Sequence, residues 1–190
     1  MKIISLYTNE KLLIKRAIAG NRQAQQFLYE KYAAKMLSVC RQYVKDVQFA
    51  EDVMVNGFVK VFENLTSFRH QGSFEGWIRK IMVRESISYL RKKQFVVYDD
   101  EVLESRPKEA GESASILDVE YVQQLIDKLP EGYKMVFLLY AIEGYKHHEI
   151  AEILEISEGT SKSQLFKARK MLQENLKLKG MSPRSESRGK

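Results

Sequence analysis

The residues of this 190-residue chain best suited to chemistry crowd one side of its last helical stretch: Lys162, Ser163, Phe166 and Lys167, with Thr160 just before them and Arg169 and Lys170 just after. Lysine donates to guanine O6 and N7, phenylalanine packs on a thymine methyl, and further cations neutralise phosphates. That chemistry is recognition of a duplex, without bond making. It needs a rigid platform, and the preceding residues are patterned to supply one. His147 to Leu154 reads as a short helix, Glu155-Ile156-Ser157 as a joint, and Glu158 to about Leu178 as a second helix, the helix-turn-helix arrangement. Ile150, Ala151, Leu154, Ile156, Leu165, Ala168 and Leu172 supply the packing, and Ser157 is placed to cap the second helix. On helical pattern alone, an ordinary hairpin with a solvated Lys/Ser face fits equally well.

A second cluster of cations lies earlier. Thr66 to Ser73 reads as a loop with Ser73 as a cap, followed by a helix from about Phe74 to about Lys93. Phe74, Trp77, Ile78, Ile81, Ile87 and Leu90 form its inner stripe, leaving Arg79, Lys80, Arg84, Arg91, Lys92 and Lys93 to project outward with Glu85 as the one acid on that side. Before it, Ala50, Val53, Met54, Gly57, Phe58, Val61 and Phe62 make one face of a helix whose other face shows Glu51, Asp52, Asn56, Lys60 and Glu63. Two more helices precede: Leu12 to Ala19, ended by Gly20, and a long one from Asn21 with a stripe of Ala24, Phe27, Leu28, Tyr32, Met36, Cys40, Tyr43 and Val47.

No catalytic constellation can be assembled. The histidines are His70 in a loop and the adjacent His147 and His148, which point to different sides of a helix. His148-Glu149-x-x-Glu152 lacks the second histidine of a zinc-protease motif, and lone Cys40 lies on a buried stripe. No metal, cofactor or catalytic residue is expected.

Few glycines (10) and prolines (3), with 44% hydrophobic and 29% charged residues, favour an all-α protein. A single cysteine and no long apolar run point to a cytoplasmic protein with no membrane insertion of its own. Net charge is +6 but segregated: residues 1–95 carry +9, 96–118 carry −5, and the remainder +2. We therefore expect a first domain over 1–95, a flexible acidic linker over 96–116, a second domain of four helices over 117–178, with stretches Leu117 to Leu129, Tyr133 to Glu143, His147 to Leu154 and Glu158 onward, and a disordered tail over 179–190.

The wording of the second domain is more specific than its periodicity. Leu129-Pro130-Glu131-Gly132-Tyr133-Lys134, Ile142-Glu143-Gly144-Tyr145, Glu149-Ile150-Ala151-Glu152-Ile153-Leu154 and Gly159-Thr160-x-Lys162-Ser163 occur in order, and they resemble the DNA-binding domain of bacterial sigma factors of the two-domain extracytoplasmic-function (ECF) group. The first domain resembles the same family through Ala50-Glu51-Asp52-Val53, Phe58-x-Lys60-Val61-Phe62, Phe68-Arg69, Ser73-Phe74-x-x-Trp77-Ile78-x-x-Ile81 and Ile87-x-Tyr89-Leu90-Arg91-Lys92. The family's turn before Ile156 usually holds Gly, so Glu155 is expected to adopt a positive φ at some cost.

The resemblance implies a protein that binds core RNA polymerase and promoter DNA, initiates transcription at −10 and −35 elements, and answers to an anti-sigma factor. By position, it assigns −35 contacts to Thr160, Lys162, Ser163, Phe166, Lys167 and Arg169. It assigns −10 contacts to Arg69, His70, Gln71, Lys80, Arg84, Ser88, Arg91 and Lys92, and polymerase binding to Asp52, Asn56, Lys60 and Glu63. Lys134 and Lys146 are expected to hold phosphates. The alternative is a helix-turn-helix regulator, or a sigma-like decoy, that does not initiate transcription.

Overall fold

The computed structural model describes residues 9–97 and 119–178, which divide into two compact units on either side of the gap. The first holds α1 (Glu10–Ile18), α2 (Arg22–Tyr43), α3 (Val47–Glu63), a 3-10 turn (Leu65–Ser67) and α4 (Phe74–Val97). The second holds α5 (Val119–Asp127), α6 (Glu131–Phe137) running into a π turn (Leu138–Ile142), α7 (His147–Leu154) and α8 (Glu158–Leu178). Among the described residues there is no strand. Apart from Val96 and Val97, which continue α4, the segment read as a linker lies outside the described residues, as does the tail 179–190.

Boundaries in the first unit follow from capping chemistry. Gly20, at φ +80°, ends α1, and Asn21 then caps α2 by accepting from the Ala24 N–H at 2.9 Å. The stripe read as one helix through Val47 is broken: Val44 is extended, and the Asp46 carboxylate accepts from the N–H groups of Gln48 and Phe49, opening α3. Val47, expected inside, is therefore exposed; Phe27, also expected inside, is exposed on α2. Ser73 caps α4 as expected, accepting from Gly76 N–H at 3.0 Å.

Helix α4 packs against both α2 and α3, so its buried arc is wider than a single stripe. Met82 and Val83 are fully buried, whereas Ile81 and Leu90 are only half-buried. Cys40 is fully buried at this three-helix junction, and desolvation pushes its thiol up to about 11, so it packs as a small apolar residue. Gly57 lets α3 approach α4: a Cβ there would collide with the Met82 side chain.

In the second unit α6 and α7 both pack on α8. Tyr145 N–H reaches back to Leu139 O at 3.0 Å, and Gly144 at φ +76° turns the chain away from the π segment. Ile150 of α7 and Leu165, Ala168 and Leu172 of α8 are buried. Ala151, Leu154 and Ile156, read as part of the same packing, are only half-buried. Glu155 takes the left-handed conformation expected of it, φ +55° and ψ +44°, and Ile156 N–H then donates to Ala151 O at 3.0 Å.

Candidate nucleic-acid and polymerase interfaces

Ser157 caps α8 as expected, its hydroxyl accepting from Thr160 N–H at 3.0 Å. The Thr160 hydroxyl is itself 2.8 Å from Ser157 Oγ, so this half-buried side chain serves the helix start. Lys162, Ser163, Phe166 and Lys167 are all exposed. Phe166 is the extreme case at 70%. A phenylalanine held in water forgoes about 2 kcal/mol of burial, and an exposed ring of this size on a cationic face is a mark of binding. Ser163 donates to Thr160 O at 3.0 Å, leaving its oxygen lone pairs to accept from a base. Lys162 lies 3.7 Å from Glu158 one turn back, a solvated pair that exchanges readily with phosphate or guanine.

Two cations flank this face and are held differently. Lys167 Nζ sits over the Tyr133 ring at 5.8 Å, and the Arg169 guanidinium over the Tyr140 ring at 5.4 Å. Tyr140 also stacks on His147 at 4.7 Å, and His147 Nδ1 is 2.9 Å from the hydroxyl of buried Ser161. Nothing local in the sequence links these two half-buried tyrosines to α8.

Of the two lysines expected to hold phosphates, Lys146 is exposed. Lys134 is not available: it is 3% exposed, with its ammonium paired to Asp127. The helical pattern could not reveal this, because the carboxylate that draws Lys134 inward belongs to α5.

In the first unit, Arg69, His70 and Gln71 are exposed in the loop between the 3-10 turn and α4. His70 holds φ +56° and Gly72 φ +122°, so the loop is bent through two left-handed residues. Beneath it Phe68 packs on His70 (4.6 Å), Phe74 (5.1 Å) and Trp77 (5.5 Å). Phe74 is buried, but Trp77 is half-buried. Lys80, Arg84 and Lys92 are exposed and Ser88 and Arg91 half-exposed. At 100° per residue these five share an arc of about 120°, and Trp77 lies on the same arc nearer the N-terminal end of the helix. The loop and the cationic stripe are thus brought onto one end and one side of α4. Arg79, expected to project outward, is half-buried.

On α3, Asp52, Asn56, Lys60 and Glu63 are exposed together. Along one edge of this polar row run Val55 and Val59, 47% and 50% exposed, so the face pairs a polar arc with an apolar strip beside it. The strip could have been read from the sequence, since Val55 and Val59 fall one turn apart off the buried face. Lys60 reaches sideways to pair with Glu85 of α4. Glu85, the one acid noted among the α4 cations, therefore neutralises a charge on another helix.

Two sigma-70 family models match the chain in order, region 2 over residues 28–96 and region 4 over residues 120–172, together more than half of it. The chain belongs to the sigma-70 family. Its curated relatives fix the ECF group. It is 29% identical over 182 residues to the ECF RNA polymerase sigma factor SigW of Bacillus subtilis, covering 88% of this chain and 96% of the relative. It is 28% identical over 180 residues to the RNA polymerase sigma-H factor of Pseudomonas aeruginosa (88% and 93%) and 27% over 176 residues to the ECF sigma-E factor of Escherichia coli K12 (86% and 92%). Among solved structures, the fold resembles the sigma factor RpoE of Bartonella quintana, crystallised with the anti-sigma factor NepR (TM-score 0.55, 22% identity, 80% of this chain and 96% of that one). It also resembles CnrH in complex with the cytosolic domain of CnrY (TM-score 0.51, 20% identity, 89% and 97%). In this sigma factor the region 2 match contains α3, the loop and all but the last residue of α4, and the region 4 match contains α7, the joint and α8 as far as Leu172.

Proposed function

We infer that the chain is an ECF-type RNA polymerase sigma factor: it binds core RNA polymerase and directs initiation at promoters through −10 and −35 elements. The observation that carries this reading is the presence of both sigma regions in order, each with an exposed cationic face. The unit ending in α4 takes the polymerase and the −10 element; the unit ending in α8 takes the −35 element.

Residue roles follow from chemistry and exposure. Lys162, Ser163 and Phe166 read base edges, and Lys167, Arg169 and Lys146 meet phosphates. Separating a base step costs about 1.4 kcal/mol of stacking, and a base held against an aromatic or polar pocket returns about 1 to 3 kcal/mol. The loop Arg69, His70 and Gln71, over the Phe68/Trp77 cluster, offers such a pocket, and Lys80, Arg84, Ser88, Arg91 and Lys92 track the adjoining backbone. Asp52, Asn56, Glu63 and Lys60, beside the exposed Val55 and Val59, dock on the polymerase. Exposed valines beside a polar row of mixed charge suit a protein partner better than an anionic nucleic acid.

The role is non-catalytic: specificity and strand opening come from this chain, nucleotide transfer from the polymerase. Among the described residues no helix is long and apolar enough to cross a membrane. We place the protein in the cytoplasm, under the control of an anti-sigma factor. Run-off transcription with purified core polymerase on a fragmented genomic template tests the reading. Discrete transcripts that require this chain and disappear with Lys162→Ala/Phe166→Ala are expected. DNA binding without initiation would overturn it in favour of a regulator, and neither activity would favour a decoy.

A further inference from the structure

Lys167 and Arg169 leave α8 on opposite sides of Phe166. At 100° per residue, Lys167 lies about 100° to one side and Arg169 about 60° to the other. A major groove is about 12 Å wide and a helix with side chains about 10 to 12 Å across, so a seated helix has a phosphate backbone along each flank. Each flank cation rests on a tyrosine from the helix behind: Lys167 on Tyr133 at 5.8 Å and Arg169 on Tyr140 at 5.4 Å. Tyr140 is in turn wedged by His147, whose other contact is Ser161 in the first turn of α8.

We propose that Tyr133 and Tyr140 are positioning residues for DNA binding, two aromatic shelves that hold Lys167 and Arg169 in place for the phosphates on either side of the groove. The proposal rests on the reading of α8 as the duplex-binding helix and adds the device that prepares its flanks. Long cationic side chains lose rotamer freedom when fixed, and a shelf that restricts them beforehand removes part of that cost from binding. The ring face attracts the cation without neutralising it, so the full charge remains for a phosphate. A carboxylate partner would have cancelled it. Among the described residues neither Lys167 nor Arg169 has an ion-pair partner, in contrast to Lys162 with Glu158 and Lys170 with Glu174.

The test is a double-mutant cycle in the full chain, read by fluorescence anisotropy with a labelled mixed-sequence duplex across a salt series. Arg169→Ala should lower the slope of log affinity against log salt by about 0.9, the value for one lost phosphate contact. Tyr140→Leu should weaken binding about two- to fivefold, the usual worth of an exposed cation–π contact, while Tyr140→Phe, which keeps the ring, leaves it unchanged. In the Arg169→Ala background Tyr140→Leu should have no further effect. Tyr133 and Lys167 should behave likewise. A Leu variant equally harmful with and without the cation, or a Phe variant as harmful as Leu, would overturn the shelf and leave the DNA reading intact. An unchanged affinity and slope for Arg169→Ala and Lys167→Ala would sink both. Circular dichroism melts of each variant separate these outcomes from unfolding.

Discussion

Lys134 on α6 and Asp127 on α5 form an ion pair in which the ammonium is almost wholly withdrawn from solvent while the carboxylate keeps about a third of its surface (side chains 4% and 35% exposed). The pair anchors α5 to the helix that follows Pro130, in a unit whose other elements converge on α8.

Breaking this pair from the acidic side is the more damaging change. Asp127→Ala strands a buried ammonium, for which a fully buried pair costs about 3 to 5 kcal/mol; with Asp127 partly solvated we expect roughly 2. Lys134→Met, which keeps the packing and leaves a carboxylate that reaches water, should cost less. Urea unfolding of the two variants checks the order, and equal losses would contradict it.

Lys60 and Glu85 present the opposite case, since Lys60 is half exposed. Glu85→Ala should reduce stability by less than about 1 kcal/mol, and the difference should shrink in high salt. Polymerase binding, measured by co-purification with core enzyme, should fall more for Val55→Asp/Val59→Asp than for Glu85→Ala, because the former put charge into the apolar strip.

Gly57 is set by a distant side chain. Alanine there gains about 1 kcal/mol of helix propensity but pushes on Met82, and overpacking costs about 1 to 3 kcal/mol. Gly57→Ala should therefore be neutral to destabilising, Gly57→Val clearly destabilising, and Met82→Ala should lessen the penalty of Gly57→Val in a thermal-melt cycle.

Glu10 ties α1 to α2 through Lys31 (2.6 Å) and the Tyr32 hydroxyl. Burial alone would raise its carboxyl, but the hydrogen bonds from Lys31 and Tyr32 together outweigh it and hold the carboxyl below its ordinary value. A carboxylate lowered on folding contributes stability that is complete above the unfolded pKa and lost as pH falls through the folded one. The first unit should thus lose stability on acidification below the ordinary carboxylate range, and Glu10→Gln should flatten that part of a pH series of melts. An identical acid profile for Glu10→Gln would refute the assignment.

Much of this molecule is legible locally. Asn21, Asp46, Ser73 and Ser157 cap helices through bonds to N–H groups two or three residues away, and Glu155 takes a left-handed turn because the joint to α8 is only three residues long. The ordered motifs that mark a sigma factor are likewise strings of neighbouring residues. Short-range chemistry of this kind is written directly in the order of side chains.

The order of residues was therefore enough for most of the helices, the caps at Ser73 and Ser157, the family and the surplus of cations, but not for the break at Val44 to Asp46 that divides α2 from α3. Which cations are free to act is settled by packing: Lys134 is spent on Asp127, Lys60 leans on Glu85, Lys167 and Arg169 rest on tyrosines, and Phe166 stands in water. The difference is one of range. Helical periodicity fixes the side of its own helix on which a residue lies, whereas the partner that buries, pairs or props a charge comes from another element, and only the folded chain brings the two together.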